Sequence, residues 1–549
     1  MNRKKIKVII LSFFITLFFT GFAFVTDKYF EISKNIDLFS KVYKEVSFNY
    51  VEDIDPAQFM RAGINGMLGS LDPYTVFIDG NKKEDYDLLT KGKYGGIGIS
   101  IGIRGDKVTI VDVFDGYSSQ RQGLRVGDVL IEAAGTKITP DNINLISSLV
   151  KGTPGTTVKI KVKRNNDKDT LSFNLVREEV IVKSLLYADF YPKKSNNVYL
   201  QLSNFGRSAS SEIRKALINL KKEKPIKSII LDLRGNPGGL LDVAANVSDD
   251  LLPKGKLIVS TLGREKTNGK KYYSLHDPLI KKAKIIVLIN GGSASASEIV
   301  SGALQDHDKA VIVGTKSFGK GLVQTIIPMS YNTSLKITTA KYYTPSGRSI
   351  QRIDYTKDNK VITIPDSIVK ASFKTDNNRT VFSGGGIKPD TTVKRNKLSE
   401  ITRALLSKGL FFSFADHFYY AHQNVTFNKL NDDLILKDFK KYLKTKLFGF
   451  KSKSEKELNK LISSFKEKAG YKAVITKLNS IKQIMNKLNK YEIDNNKKDI
   501  LNQLKSELAS RYKGENFRIE ELLKNDNQFQ FAFALTKNKK LYKKLLHTK

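Results

Sequence analysis

Residues 285–314 read IIVLINGGSASASEIVSGALQDHDKAVIVG, two short apolar runs separated by a turn of small residues and a helical pattern. The runs Ile285–Asn290 and Ala310–Gly314 are predicted to be strands, and Ser295–Leu304 is predicted to be the helix between them. This order is typical of two parallel strands that are joined by a right-handed crossover.

The same order occurs further upstream. Two apolar runs, Val198–Leu202 and Ser228–Leu233, flank a helical pattern at Ser208–Lys221. Residues 180–400 are therefore predicted to form an α/β core with a mainly parallel sheet. Open sheets of this kind carry their chemistry where the strands end.

Two candidate catalytic residues, Ser295 and Lys320, lie where predicted strands run into glycine-rich turns. Ser295 begins a helix, and its Ser295-x-x-Glu298 pattern is typical of a capping box. If Ser295 is a nucleophile, the N–H of Ala296 points outward and stabilises negative charge on a reacting oxygen. Lys320 can take the serine proton only as a neutral amine, which requires a desolvated site. The pattern leaves both interpretations of Ser295 open, a nucleophile and a plain helix cap.

Lys320 also belongs to a second pattern. Gly314–Lys320 matches the GxxxxGK spacing of a phosphate-binding loop. However, Gly321 stands where that loop has the Ser or Thr that holds magnesium, and Leu322–Met329 is predicted to be a strand instead of a helix. These features argue against an ATPase, which would bind nucleotide together with magnesium.

A glycine-rich turn follows the strand at 228–233. Asp232–Gly239 reads DLRGNPGG, and an ordinary turn explains its last four residues. Glycines also let the backbone approach a reacting carbonyl without a clash, so their N–H groups are candidate donors to an oxyanion.

The composition excludes several kinds of site. The 549-residue chain has no cysteine, which excludes disulfides, thiolate metal sites and a cysteine nucleophile. Its five histidines have no metal-ligand spacing, so we predict no metal site. A serine nucleophile with a lysine base needs no cofactor, so we predict none. Of the net charge of +38, residues 401–549 contribute +17 through 32 basic and 15 acidic side chains. The remaining charge is spread along the chain, so we predict no nucleic-acid site.

The N-terminus predicts a location. Four basic residues among the first seven precede an uncharged apolar run, Val8–Val25. At roughly 1.5 Å per residue this run just crosses a hydrocarbon core. The positive charge before it favours a cytoplasmic N-terminus and a translocated body. Residues 1–26 are therefore predicted to be a signal anchor, with a cleaved signal peptide as the alternative.

Three further regions differ in composition from the core. Residues 27–92 are predicted to form short helices, and residues 93–179 a small module of glycine-rich strands and turns. Residues 401–549 are predicted to be basic and helical, with amphipathic stretches at Leu458–Phe465 and Ile481–Leu504. Nothing in this last region suggests chemistry, so we expect it to pack against the rest of the chain or bind a partner.

Four spaced motifs together resemble the carboxy-terminal processing peptidases, the tail-specific serine peptidases of family S41. They are Asp232–Gly239, Gly292–Glu298, Phe318–Gln324 and Thr339–Gln351, with similar stretches at Leu71–Tyr74 and Gly385–Asp390. The resemblance spans roughly residues 36–392. It implies a multidomain α/β and β fold: an N-terminal helical part, a PDZ domain, a serine-peptidase core of the crotonase/ClpP-like type, and a C-terminal helical extension.

The resemblance also implies roles for individual residues. Ser295 corresponds to the family's nucleophile, Lys320 to its base, and Gln324 to the glutamine that helps to orient the lysine. The oxyanion donors correspond to the amide of Ala296 and to a glycine of the turn, either Gly238 or Gly239.

Residues 93–179 are similar to a PDZ domain, which binds a peptide C-terminus by strand addition. The peptide carboxylate is held by backbone N–H groups of a glycine-rich loop. We expect this loop at Tyr94–Ile99, with Ile97 and Ile99 shaping an apolar pocket. Its residues are Tyr94, Gly95, Gly96, Ile97, Gly98 and Ile99.

The resemblance implies a serine endopeptidase of the bacterial cell envelope, anchored in the inner membrane and facing the periplasm, or secreted into the periplasm. Proteins with exposed C-terminal tails would dock on the PDZ domain and be processed or degraded, with the substrate adding a strand near Thr339–Ser346. An adaptor or activator protein and a homodimer remain open. The competing interpretation is a non-catalytic PDZ scaffold that binds peptides without turnover.

Overall fold

The computed structural model describes residues 28–79, 92–164, 169–265, 269–354, 362–363, 371–466, 470–489 and 491–547. The predicted anchor at residues 8–25 lies outside these ranges. Within them, no helix combines the length and the apolar character that a membrane span requires. The chain divides into two compact units, a smaller one that holds the described residues up to Ile78 together with Ile326–Ile337, and a larger one that holds the rest.

The smaller unit is mainly helical, as its sequence predicts. Helix α1 covers residues 28–49, α2 covers Pro56–Gly69, and strand β1 covers Val76–Ile78. The side chain of Asp55 caps α2 by accepting the N–H of Ala57 at 2.8 Å, as expected for an acidic residue before a helix.

The glycine-rich module is mostly β structure. One antiparallel sheet has the order β3-β4-β5-β7-β8, so β3 is an edge strand, while β2 pairs with β9 outside this sheet. The elements are β2 Lys93–Gly96, β3 Ile99–Arg104, β4 Lys107–Val113, α3 Ser118–Arg121, β5 Val129–Ala133, β6 Thr136–Lys137, α4 Ile146–Val150, β7 Thr157–Lys163, β8 Thr170–Val176 and β9 Glu178–Ile181.

The region around residues 180–400 is the predicted α/β core. Its elements are β10 Leu185–Phe190, β11 Asn197–Leu202, α5 Ala209–Glu223, β12 Ser228–Asp232, α6 Leu241–Asp249, β13 Leu257–Gly263, β14 Lys270–Tyr273, β15 Lys284–Ile289, α7 Ala296–Asp306, β16 Ala310–Gly314, β17 Leu322–Met329, β18 Thr333–Tyr343, β19 Ile353–Asp354, β20 Ile362–Thr363, β21 Ser372–Lys374, β22 Thr380–Phe382 and β23 Thr391–Thr392.

The central sheet of this core has six strands in the order β10-β11-β12-β15-β16-β23. β10 is antiparallel to β11, and the other pairs are parallel, as the strand–helix–strand order predicts. Every residue of β12 and β16 is buried, so the sheet must be covered on both faces. On one face, helices α5, α6 and α7 bury side chains such as Ile229 and Val287.

The tail is helical throughout its regular structure. Its helices are α8 Glu400–Ser407, α9 Leu410–Ala421, α10 Asp432–Thr445, α11 Lys453–Lys466, α12 Lys472–Asn489, α13 Glu492–Asn495, α14 Lys497–Lys513, α15 Glu515–Asn525, α16 Asn527–Lys537 and α17 Lys539–Leu545. The amphipathic stretch predicted over Ile481–Leu504 is not one helix. It contains the end of α12, all of α13 and the start of α14, because asparagines such as Asn496 favour helix ends over helix interiors.

The last helices of the tail cover the second face of the central sheet. Phe529 of α16 is fully buried and packs edge-to-face on Tyr199 of β11, with ring centroids 5.2 Å apart. Leu535 of α16 and Tyr542 of α17 lie in the same cluster as Ile230 and Ile286 of the sheet. The end of the tail therefore forms one layer of the core, whereas α8, α9, α10 and α14 pack against one another in a separate apolar cluster.

Candidate active site

Ser295 lies between the end of β15 and the first turn of α7. Its φ of 53° and ψ of −112° place it outside the usual regions for a residue with a side chain, at a cost of about 1–3 kcal/mol. The N–H of Ala296 is the first of the helix and has no acceptor within it. The serine is thus held in a strained turn at the positive end of a helix dipole.

Glu298 connects the serine turn to the lysine loop. Its carboxylate is fully buried, and Oε2 accepts the N–H groups of Ser295 and Lys320, each at 2.9 Å. Oε1 accepts the N–H of Gly319 at 2.7 Å and the hydroxyl of Ser317. Burial raises the pKa of Glu298 to about 7, and its hydrogen bonds oppose that rise.

Tyr342 provides a second connection between the same two segments. Its hydroxyl lies 2.7 Å from the carbonyl oxygen of Lys320 and 3.1 Å from that of Ser295. Burial raises the pKa of Tyr342 well above its ordinary value, so the hydroxyl keeps its proton and can donate it. Two buried side chains therefore hold the backbones of Ser295 and Lys320 together, although the sequence separates them widely.

The predicted residue Gln324 lies on β17, which starts just after the lysine loop. Its Nε2 donates to the hydroxyl oxygen of Thr338 at 3.3 Å. Leu322–Met329 is a strand, as predicted, so the segment directly after Gly314–Lys320 is not a helix. The chain after Lys320 therefore lacks the phosphate-capping helix that the ATPase interpretation requires.

Gly238 lies directly against Ser295 and Ala296. A Cβ atom built on it would lie 2.8 Å from the Cβ of Ser295 and 2.9 Å from the nitrogen of Ala296. Its φ is +101°, which favours glycine. The close approach requires glycine here, but the Gly238 N–H already donates to Oδ1 of Asn236 at 2.9 Å.

Gly239 has a different backbone environment. The carbonyl of Gly238 accepts from Phe205, and the N–H of Leu240 donates to the carbonyl of Phe205, each at 2.9 Å. These two bonds form a parallel bridge between Phe205 and Gly239. In such a bridge the N–H and C=O of the middle residue point away from its partner, so the Gly239 N–H faces away from Phe205. Of the two glycines left open by the sequence, Gly239 is the better candidate donor.

Two asparagines that the sequence reasoning missed hold these turns together. Oδ1 of Asn290 accepts the N–H groups of Gly235 and Gly292, each at 2.9 Å, and so joins the glycine turn to the serine turn. The carbonyl of Asn236 accepts the N–H of Ala294 at 3.0 Å. Asparagine next to glycine is typical of turns. The pattern therefore indicated a turn at each asparagine, but not that the asparagine bonds to a second turn.

The predicted peptide-binding loop is partly β structure. Tyr94, Gly95 and Gly96 lie in β2 and pair with β9, Gly98 adopts a φ of +79°, and Ile99 begins β3. Ile97 is 1% exposed and packs in the apolar core of the module, so its predicted part in a peptide pocket stays a prediction. A hydrophobic residue beside glycines can belong to the apolar core or line a peptide pocket, and the sequence does not distinguish these two positions.

The structure also contradicts the predicted strand addition near Thr339–Ser346. Residues 340–343 of β18 pair with β13, and the N–H of Tyr342 donates to the carbonyl of Gly321 at 3.0 Å on the other edge. Both edges of this part of β18 are occupied, so a substrate strand cannot add there.

Comparison with protein families matches four consecutive regions. The model for peptidase family S41 matches residues 196–361, and a PDZ domain model matches residues 95–175. The N-terminal domain of the activating protease CtpB matches residues 25–82. A model described as the C-terminal helical domain of a probable PDZ-protease matches residues 401–536.

Named relatives agree with these matches. A carboxy-terminal-processing protease of Bartonella bacilliformis is 39% identical over 59% of this chain and 74% of its own length. The carboxy-terminal processing protease CtpB of Bacillus subtilis is 31% identical over 59% of this chain and 67% of its own. A solved photosystem II D1 C-terminal processing protease is 24% identical, covers 64% of this chain and 85% of its own, and has a TM-score of 0.33.

The relatives confirm the predicted family, and the order of domains confirms the predicted fold class. The order is an N-terminal CtpB-like segment, a PDZ domain, an S41 core and a C-terminal helical domain. The chain belongs to the carboxy-terminal processing proteases of peptidase family S41, which are serine-type hydrolases.

Proposed function

We propose that this protein is an endopeptidase in which Ser295 is the nucleophile and Lys320 the general base. The observation that carries the proposal is the double connection between these residues: Glu298 accepts both of their N–H groups, and Tyr342 lies against both of their carbonyls. These contacts fix the two backbones that carry the side chains, and a nucleophile and its base must be held close together for proton transfer.

In the proposed reaction, neutral Lys320 Nζ takes the proton of Ser295 Oγ as that oxygen attacks the carbonyl carbon of the scissile peptide. The N–H groups of Ala296 and Gly239 stabilise the oxyanion. Lys320 then gives its proton to the leaving amine. It next takes a proton from the water that attacks the acyl-enzyme and returns it to Ser295 Oγ as the ester bond breaks. Gln324 orients the lysine. The proposed reaction uses side chains and backbone amides of this chain alone.

The proposed substrates are proteins outside the cytoplasm whose C-terminal tails bind to the PDZ domain. β3 is an edge strand of that domain, which suits strand addition by a peptide. The apolar run at Val8–Val25, after basic residues, supports a location in the cell envelope, either anchored or secreted to the periplasm.

The test compares four proteins: wild type, Ser295→Ala, Lys320→Met and the control Lys341→Met. Each is incubated with a denatured model protein that ends in an apolar residue, and fragments are identified by mass spectrometry. We expect fragments from wild type and from the control, whose lysine is exposed on β18. Ser295→Ala should give none, and Lys320→Met should be slower by about 10²–10⁴-fold.

The outcomes separate the alternatives. Fragments from Ser295→Ala at the wild-type rate would contradict the assigned nucleophile, and full activity of Lys320→Met would contradict the base. Binding of the model protein by wild type without fragments would support the non-catalytic scaffold.

A further inference from the structure

The turn that supplies the second oxyanion donor is bonded to both sides of the serine. The carbonyl of Asn236 accepts from the N–H of Ala294 at 3.0 Å and from the hydroxyl of Ser297 at 2.9 Å. Its Nδ2 donates to the carbonyl of Leu202 at 2.9 Å, at the end of β11. A shift of this turn would therefore change the distance between the oxyanion donors and the nucleophile.

Arg234 fixes the start of the same turn. Its Nε lies 2.9 Å from Oδ1 of Asp232, and Tyr199 donates to Oδ2 of Asp232 at 2.7 Å. The Arg234 side chain is 13% exposed, so it has little solvent to replace a lost partner. A planar guanidinium held by a carboxylate in this way has a defined orientation.

The rest of the Arg234 guanidinium contacts the tail. Nη1 lies 2.7 Å from Oδ2 of Asp526 and 2.9 Å from Oε1 of Gln528. Asp526 is the N-cap of α16, where its Oδ1 accepts the N–H groups of Gln528 and Phe529 at 3.0 Å. Gln528 also donates from Nε2 to the carbonyl of Val393 at 2.6 Å. The start of α16 is thus tied to the glycine turn and to the chain that leaves the core.

The contacts of Arg234 with the tail are largely shielded from water, and electrostatic interactions are stronger in such surroundings. Gln528 is 2% exposed, and the Asp526 side chain is 15% exposed. Arg234 sits between two carboxylates, those of Asp232 and Asp526, and one of them belongs to the tail. Removing the Asp526 carboxylate takes away one of these two charged partners and leaves the neutral Gln528 on the side of the tail. The guanidinium, and with it the turn, is then fixed less firmly.

We propose that Asp526 and Gln528 are positioning residues for peptide hydrolysis, acting through Arg234 on the turn that ends at Gly239. The inference rests on the proposed function, because the turn matters only if it binds the oxyanion. Neither residue touches a reacting atom. The C-terminal helical domain would thereby be part of the catalytic apparatus of this chain.

The test separates the contact with Arg234 from the capping of α16. Asp526→Ser keeps an N-cap hydroxyl but is too short to reach Arg234, and Asp526→Asn keeps both the cap and one neutral acceptor. The matched control is Asn538→Ser, because Asn538 caps α17 on the same face of the sheet by accepting the N–H of Leu541 at 2.9 Å. All four full-length proteins are assayed with an internally quenched fluorescent peptide that ends in an apolar residue with a free carboxylate.

We expect kcat to fall by about 10- to 100-fold in Asp526→Ser, less in Asp526→Asn, and little in Asn538→Ser, with KM unchanged in all. An interaction that acts on the oxyanion is made in the transition state, so it changes kcat and not KM. Exhaustive labelling with a fluorophosphonate counts the intact serines, so that kcat refers to folded sites only.

Three results would overturn the inference: a wild-type kcat per labelled site in Asp526→Ser, an equal loss in Asn538→Ser, or a rise in KM without a fall in kcat. A wild-type protein that neither cleaves the peptide nor takes up the label would instead overturn the proposed function, and this inference with it. The two failures are therefore distinguishable in the same assay.

Discussion

Ser295 is the residue at which the site is most constrained. Its backbone is strained, its N–H is bonded to Glu298, and Gly238 lies against its Cβ. Strain of this kind persists only where the surroundings over-determine the conformation. Glu298 and Gly238 therefore constrain Ser295 from different sides, and we expect a different effect from a substitution at each of them.

Glu298 should make stability depend on pH. Because burial raises its pKa to about 7, the folded protein keeps a proton there that the unfolded chain releases above about pH 4.5. The contribution of protonated Glu298 is therefore present at low pH and is lost as pH rises through 7. We expect wild type to lose about 2 kcal/mol of unfolding free energy between pH 5.5 and 8, relative to Glu298→Gln. Urea unfolding at both pH values measures this, and an unchanged difference would mean that Glu298 is ionised throughout.

Gly238→Ala should inactivate the enzyme. The new Cβ would meet the Ser295 side chain and the carbonyl oxygen of Ala294 at 2.7 Å, at a φ that disfavours alanine. We expect at least a hundredfold loss of kcat/KM, since a displacement of about 1 Å at the proposed nucleophile, Ser295, has that effect. Gly291→Ala is the control, because no atom lies within 4 Å of its Cβ position. Similar activity in the two variants would show that the close approach at Gly238 is not needed.

Among the elements, α16 makes the contacts that the sequence predicted least. Its Phe529 packs edge-to-face on Tyr199 and Tyr191, with ring centroids 5.2 and 5.4 Å apart. Its first turn holds Arg234. One short helix therefore covers the sheet and also contacts the turn that leads to the active site.

Phe529→Ala should destabilise the peptidase core and not only the tail. Phe529 is fully buried, so its loss leaves a cavity against the sheet and costs about 3–5 kcal/mol. Guanidinium unfolding measures this, with Ile484→Ala of α12 as the control because Ile484 is 58% exposed. If Phe529→Ala unfolds the tail at lower denaturant while the core keeps its wild-type midpoint, the two are separate units.

Local patterns predicted the strands and helices of the core because each is short, apolar and bounded by glycine or polar residues. Ala310–Gly314 and Leu322–Met329 have the predicted bounds. The role of Glu298 could not be read from the sequence, since Ser-x-x-Glu indicates a helix cap whether or not the carboxylate reaches a second loop. The contact between Arg234 and Asp526 has no local pattern at all, because it joins residues that only the tertiary fold brings together.

At the scale of the whole molecule, the central sheet is the middle of three layers. The two outer layers come from distant parts of the chain. Helices α5 to α7 cover one face and lie between the strands in sequence, whereas α16 and α17 cover the other. The positive charge of residues 401–549 did not indicate that α16 and α17 cover a face of the sheet. The lysines lie on exposed surfaces of the same helices that bury Leu535 and Tyr542.

The late position of α16 has a consequence for biosynthesis. Gln528 is 135 positions beyond Val393, the residue it contacts next to the last strand of the sheet. While the chain is being made, Ser295 and Lys320 emerge from the ribosome well before the helix that covers the sheet behind them. We expect a nascent chain to expose that apolar face and to lack a finished catalytic turn until α16 docks. Synthesis and the onset of activity would then be separated in time.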